Sequence, residues 1–157
     1  FSRISDDNSR FRAAFLRALC WIWFAALPVG AMLVVAGQPV VVAFTPHLVP
    51  LNRGLFTTAS VPLTKPATTA ELVALYQEFY AGEPFVVVRP TSPSTKAALG
   101  TNTAYLTARY DERTDTIITI CAIDNLCKGA SGGAIQAANI VLGLDETSGL
   151  QRVGLYP

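Results

Sequence analysis

Ionic side chains are scarce in this sequence. Only 15% of its 157 residues are charged, against roughly 25% in ordinary soluble domains. The 12 Lys+Arg are balanced by 11 Asp+Glu, so there is no basic surface to grip a phosphate backbone, and nucleic acid is not expected as a partner. Histidine occurs once, as His47, and cysteine three times, as Cys20, Cys121 and Cys127, with no C-x-x-C pair. An odd count without that spacing signals neither a disulfide framework nor a zinc site, and it fits a reducing, cytoplasmic setting. No internal repeat occurs, and the first residue is Phe1 rather than Met, as expected of a fragment or a processed product. The length suits one domain and excludes most two-domain enzymes.

What the chain does have is apolar surface, at 51% of residues, and it is unevenly spread. No Asp, Glu, Lys or Arg falls between Arg17 and Arg53, and residues 18–37 form a 20-residue run with three aromatic side chains, Trp21, Trp23 and Phe24. That is long enough for a membrane span, and the arginines before it (Arg3, Arg10, Arg12, Arg17) give it the order of a signal anchor. Pro28 and Gly30 interrupt it, which a membrane tolerates better than water does. The other readings are a buried core element and a stretch that is not native sequence.

From residue 36 the texture is that of a soluble chain. Residues 38–44 are β-branched and predict a strand, residues 53–63 are again extended, and residues 83–89 form another short strand with Pro84 at its start. Thr68 to Glu71 has the form of a capping box, and apolar residues at 72, 73, 76, 79 and 80 predict an amphipathic helix that Gly82 can end. Residues 90–100 read as a loop. Residues 104–110 and 116–123, separated by a polar turn, predict an antiparallel hairpin. Apolar residues at 134, 135, 138, 141 and 142 predict a last helix over 129–142 with a glycine-rich first turn. Strands and helices without regular alternation give an α+β fold with a mixed, largely antiparallel sheet.

The strongest local feature runs from Asp124 to Gln136, between a strand and a helix. Small residues there allow close approach to a helix N-terminus, which favours an anion, and Lys128 adds positive charge. The alternative is that Gly129, Gly132 and Gly133 only permit close packing and Lys128 is a solvated loop residue. Gly129 to Gly133 also matches the G-x-S-x-G nucleophile elbow around Ser131, but no histidine follows the serine, so that reading fails. Cys121, inside a strand, is expected in the core, and Cys20 among aromatics is expected to be inert. Cys127 lies beside Lys128, a setting that activates a thiol, although packing under a loop is the preferred reading. His47 reads as a loop residue with a satisfied ring.

Several blocks together resemble one family. Residues 44–54, 80–86, 100–102 and 124–139 occur in the order seen in N-acetyl-γ-glutamyl-phosphate reductases, and residues 143–150 look like the close of those chains. The resemblance covers about residues 36–157, read as a C-terminal domain. It implies an NADPH-dependent reductase of arginine biosynthesis that converts an acyl phosphate, N-acetyl-γ-glutamyl phosphate, to a semialdehyde through a cysteine thioester, with a histidine handling the proton. It also implies a domain like the C-terminal one of glyceraldehyde-3-phosphate dehydrogenase, a homo-oligomer, and a last helix that packs on a Rossmann domain. By the same similarity Asn125, Lys128 and Gly129 lie near the cofactor and Arg53 binds substrate. Catalytic residues are not implied here, because the Asn-Pro-Gly-Cys-Tyr motif, the Rossmann fingerprint and the Gly-His-Arg-His-type segment are all absent. Where the last of these should fall stands the apolar run, so residues 8–35 are expected to be a shifted reading frame. Translating the DNA in the other two frames should expose a His-Arg-His-type segment, and its absence from both would refute that expectation. The competing class is a small, non-catalytic protein anchored through residues 18–37.

Overall fold

The structure, a computed structural model, describes residues 43–155. The apolar run 18–37, the interval 8–35 and Cys20 lie outside the described residues, as does most of the expected strand at 38–44. Its last two residues, Ala43 and Phe44, are irregular and exposed.

Among the described residues, four strands build one sheet. β1 is Leu55–Pro62, β2 is Val86–Val88, β3 is Ala104–Asp111 and β4 is Thr116–Ile123, in the spatial order β1-β4-β3-β2. β4 is antiparallel to both β1 and β3, while β2 runs parallel to β3. The result is the expected α+β fold with a mixed, mainly antiparallel sheet. The hairpin is formed as the alternation requires, with Leu106 opposite Cys121 and Ala108 opposite Thr119. β3 is buried on both faces from Ala104 to Ala108, more than its alternating pattern suggests.

Helix α1, Thr69–Phe79, packs on β3 and β2. Its capping box is complete: the Thr68 N–H donates to Glu71 Oε2 at 2.7 Å, and the Glu71 N–H donates to Thr68 Oγ1 at 3.2 Å. Two orphan amides at the helix start are thereby satisfied. Leu72 joins Ala108 and Ile117 in one core cluster, while Ala104, Leu106, Cys121 and Ile123 form a second. Tyr76 bonds Thr119 at 3.0 Å and fixes the helix across the sheet. Cys121 is core, as expected, and burial pushes its thiol up to about 12.

Three boundaries differ from the sequence reading. The strand expected over 83–89 is only Val86–Val88, because Glu83 and Pro84 belong to the turn that ends α1, where the Val86 N–H bonds the Glu83 carbonyl. The loop expected over 90–100 contains a single turn of helix, α2 (Thr95–Ala98), capped by Ser94. The last helix begins as a π-turn, Cys127–Ser131, and continues as α3, Gly132–Leu142. Gly143, in the left-handed region at φ +71°, closes it by returning its N–H to the final carbonyls. Among the described residues no helix is long and apolar enough to cross a membrane.

Candidate functional site

The end of β4 delivers Asp124 into the interior, with 0% of the residue exposed. Its carboxylate is surrounded by donors from three chain segments. Arg53 Nε bonds Oδ1 at 2.9 Å, the Leu126 and Cys127 amides reach the same oxygen at 2.8 and 2.9 Å, and the Gly100 amide reaches Oδ2 at 2.6 Å. Burial alone would raise the carboxyl pKa. Arg53 and the amides of Cys127, Gly100 and Leu126 outweigh it and hold the group at about 2. The anion that a helix N-terminus favours is therefore supplied by the chain itself. The Gly129 and Ser131 amides are also occupied, by the Asp124 and Leu126 carbonyls at 3.0 Å each.

Arg53 is held at two points. Besides the Asp124 ion pair, Nη2 lies 3.2 Å from Cys127 Sγ. Its side chain remains 32% exposed, and among the described residues no acceptor meets Nη1. A guanidinium has five N–H donors in a fork that matches carboxylate and phosphate oxygens, so the open edge can take an oxyanion. Next to it, the Gly54 amide donates to Asn125 Oδ1 at 2.7 Å. Arg53, Gly54, Asp124, Asn125 and Cys127 form one cluster, although sequence reading placed Cys127 simply beneath a loop.

Lys128 is not the solvated loop residue of the alternative reading. It is 6% exposed, donates to Gln136 Oε1 at 2.7 Å and lies over the Phe85 ring at 5.4 Å. Burial lowers its ammonium pKa to about 8, with Glu146 and Glu83 opposing. Gln136 also accepts from Asn102 Nδ2 at 2.8 Å and donates to Glu146 at 2.6 Å. The carboxylate at one end and the ammonium at the other fix the orientation of both amides. Gly132 is required here, because a Cβ would collide with Asn102 Oδ1 and stand 2.9 Å from the Cys127 carbonyl oxygen. Asn102 Oδ1 is buried without a hydrogen-bond partner.

Ser131 donates its hydroxyl to the Leu126 carbonyl at 2.8 Å, a turn contact in keeping with the failed elbow reading. His47 is exposed, with Nδ1 3.0 Å from the Thr45 carbonyl, the satisfied loop ring that was expected. Sequence reasoning gave no role of their own to Asp124, Gln136, Asn102 or Glu146. The available signals were an aspartate between a strand and a helix start, a common capping position, and Gln136 with Asn139 three residues on in an otherwise apolar helix.

A family model described as semialdehyde dehydrogenase, dimerisation domain, matches residues 30–125. The chain belongs to this family. The semialdehyde dehydrogenase dimerisation-domain match takes in all four strands and ends at Asn125, within the Arg53–Asp124 cluster. N-acetyl-γ-glutamyl-phosphate reductase from Symbiobacterium thermophilum is 51% identical over 125 residues, 78% of this chain and 36% of the relative. The enzymes of that name from Geobacter metallireducens and Paenarthrobacter aurescens are 48% and 47% identical over 124 residues, again 78% of this chain and 36% of each relative. The chain thus spans about a third of the length of these relatives. The family and its relatives agree with the resemblance read from the sequence blocks, and the α+β sheet agrees with a glyceraldehyde-3-phosphate dehydrogenase-like C-terminal domain.

Proposed function

We propose that residues 36–157 are the substrate-and-assembly domain of an N-acetyl-γ-glutamyl-phosphate reductase, an oxidoreductase of arginine biosynthesis acting in the cytoplasm. The observation that carries this reading is the convergence of Arg53, Gly54, Asp124 and Asn125, drawn from separate blocks of the resemblance, in one hydrogen-bonded cluster with an open guanidinium edge. Arg53 binds an oxyanion of the acyl phosphate. Asp124 neutralises it on the protein side and aims its fork outward.

The residues also fit NADPH, which supplies the hydride when bound. Asn125, oriented by Gly54, offers its amide N–H₂ group to a carboxamide or phosphate acceptor, and Gly129 is exposed with no side chain to hold a flat ring away. Lys128 acts from beneath, since its ammonium is spent on Gln136. The outer side of α3 supports a cofactor domain packed against it. Gln136 and Asn139 face inward, whereas Ile135, Val141 and Leu142 are exposed, Leu142 at 64%. An apolar stripe of that kind needs a cover.

The chain alone holds no catalytic Cys or His motif and is expected to show no turnover. A chimera carrying residues 43–157 in place of the matching part of the Symbiobacterium relative should oxidise NADPH in the presence of N-acetyl-γ-glutamyl phosphate. In that chimera Arg53→Ala should raise KM about tenfold or more. A folded but inactive chimera, or turnover by the chain alone, would refute the reading.

A further inference from the structure

The segment after α3 has no helix or strand of its own, yet it is tied repeatedly to the residues that precede β3. The Asn102 amide donates to the Gln151 carbonyl at 2.8 Å, the Thr103 hydroxyl to the Arg152 carbonyl at 3.0 Å, and the Leu155 amide to the Leu99 carbonyl at 3.1 Å. Gly154 runs so close to Ala97 that a Cβ on it would stand 2.5 Å from the Ala97 carbonyl oxygen. Leu155 lies against Gly100, which holds a left-handed φ of +76°. Residues 151–155 therefore form a strap across residues 97–103.

α2 and the strapped residues meet the Arg53 cluster at two points. Gly100 makes the 2.6 Å bond to Asp124 Oδ2. Thr95 packs on Gly54, where an added Cβ would be 2.8 Å from the Thr95 Cβ. A single helical turn such as α2 has too few internal bonds to hold itself in place. Its position is set by what surrounds it: β4, the strap, and the Arg53–Gly54 segment.

We propose that strap 151–155 is a positioning element for the oxyanion site. By pressing α2 and Gly100 inward it fixes the Asp124 carboxylate, and through it the direction in which Arg53 presents its open edge. The inference deepens the reading of Arg53 as an oxyanion contact and rests on it. The strap touches no substrate, and its effect passes through Gly100, Asp124 and Thr95.

The full chain, labelled with ¹⁵N in its arginine side chains, gives the test. The Arg53 Nε–H signal, assigned by its loss in Arg53→Lys, reports the bond to Asp124 through its exchange with water. Its shift on titration with inorganic phosphate reports oxyanion binding. Gly154→Ala, whose methyl group must push the strap off the Ala97 carbonyl, should speed that exchange and weaken phosphate binding by about tenfold each. A chain ending at Leu150 should do the same, with β3 and β4 amide signals kept in place. Val153→Ala, on the same segment but exposed, should change neither. Unaltered exchange and affinity in Gly154→Ala would overturn the proposal, and so would a loss of thermal stability alone. If the shortened chain does not fold, Gly154→Ala decides. If the unaltered chain binds no phosphate while exchange still responds to Gly154→Ala, the strap stands as the device that positions Arg53, and the oxyanion reading is what fails.

Discussion

Asp124 and Lys128 are buried ionisable groups that answer burial in opposite ways. Asp124 is held at about 2 because four donors overcome its desolvation. Its folded pKa lies below the unfolded value of 3.8. Its stabilisation, about 2 kcal/mol, is complete above an ordinary carboxylate pKa and is lost as pH falls through 2. Asp124→Ala leaves the Arg53 guanidinium and three amides without their acceptor, and should cost about 3 kcal/mol in chemical denaturation at neutral pH. Lys128 is lowered from 10.5 to about 8 by burial. From pH 8 to 10.5 the unfolded chain binds more protons than the folded one, so stability rises with pH in that window. Cys121, pushed from 9 to about 12, works the other way above pH 9. The Lys128 contribution is therefore cleanest between pH 8 and 9, where denaturation should show a gain of about 1 kcal/mol. Lys128→Met, which keeps the contact with Phe85, should abolish that gain. A variant whose stability rises just as the unaltered chain's does would mean that another group titrates there.

At the scale of elements, close packing at the start of α3 decides more than helix propensity does. Gly132→Ala would normally favour a helix, but here the new methyl group meets Asn102 Oδ1 and the Cys127 carbonyl. The expected outcome is a loss of about 2 kcal/mol from overpacking, read as a lowered melting temperature. A stabilised variant would show that the π-turn can yield. The sequence made α1, β1 and the β3–β4 hairpin legible, because capping box and alternation are local codes that tertiary contacts reinforce. It hid α2, whose four residues carry no periodicity and are fixed by Gly54 and Gly154 from distant parts of the chain. It also hid the inward turn of Lys128. Nothing near Lys128 in sequence predicts Gln136, Phe85 and Glu146 around its ammonium, and a Gly-Ser-rich context suggests solvent. Arg53, Asn125 and Gly129 were named through the resemblance. Asp124, which joins Arg53 to the turn that carries the other two, stood at the start of a resemblance block but was given no role of its own.

At the scale of the molecule, two of the exposed apolar surfaces on the described domain call for different covers. One is the outer stripe of α3, with Ile135, Val141 and Leu142. The other is the sheet face opposite α1. Strand register puts Ile118 and Ile120 of β4, both half-buried, on that face, together with the exposed Phe56 of β1. α1 covers the opposite side through Ala108 and Ile117. The family's description as a dimerisation domain is the ground on which we propose a second copy for the sheet face, and the resemblance is the ground on which we propose a cofactor domain for the α3 stripe. The two assignments separate in the chimera proposed above. Ile118→Lys places a charge at the centre of an isologous sheet interface, where its partner copy brings the same charge, and should convert a dimer to a monomer by light scattering while NADPH affinity changes little. Val141→Lys should lower NADPH affinity and stability but leave the dimer intact. If Val141→Lys dissociates the dimer and Ile118→Lys does not, the two faces have been assigned the wrong way round.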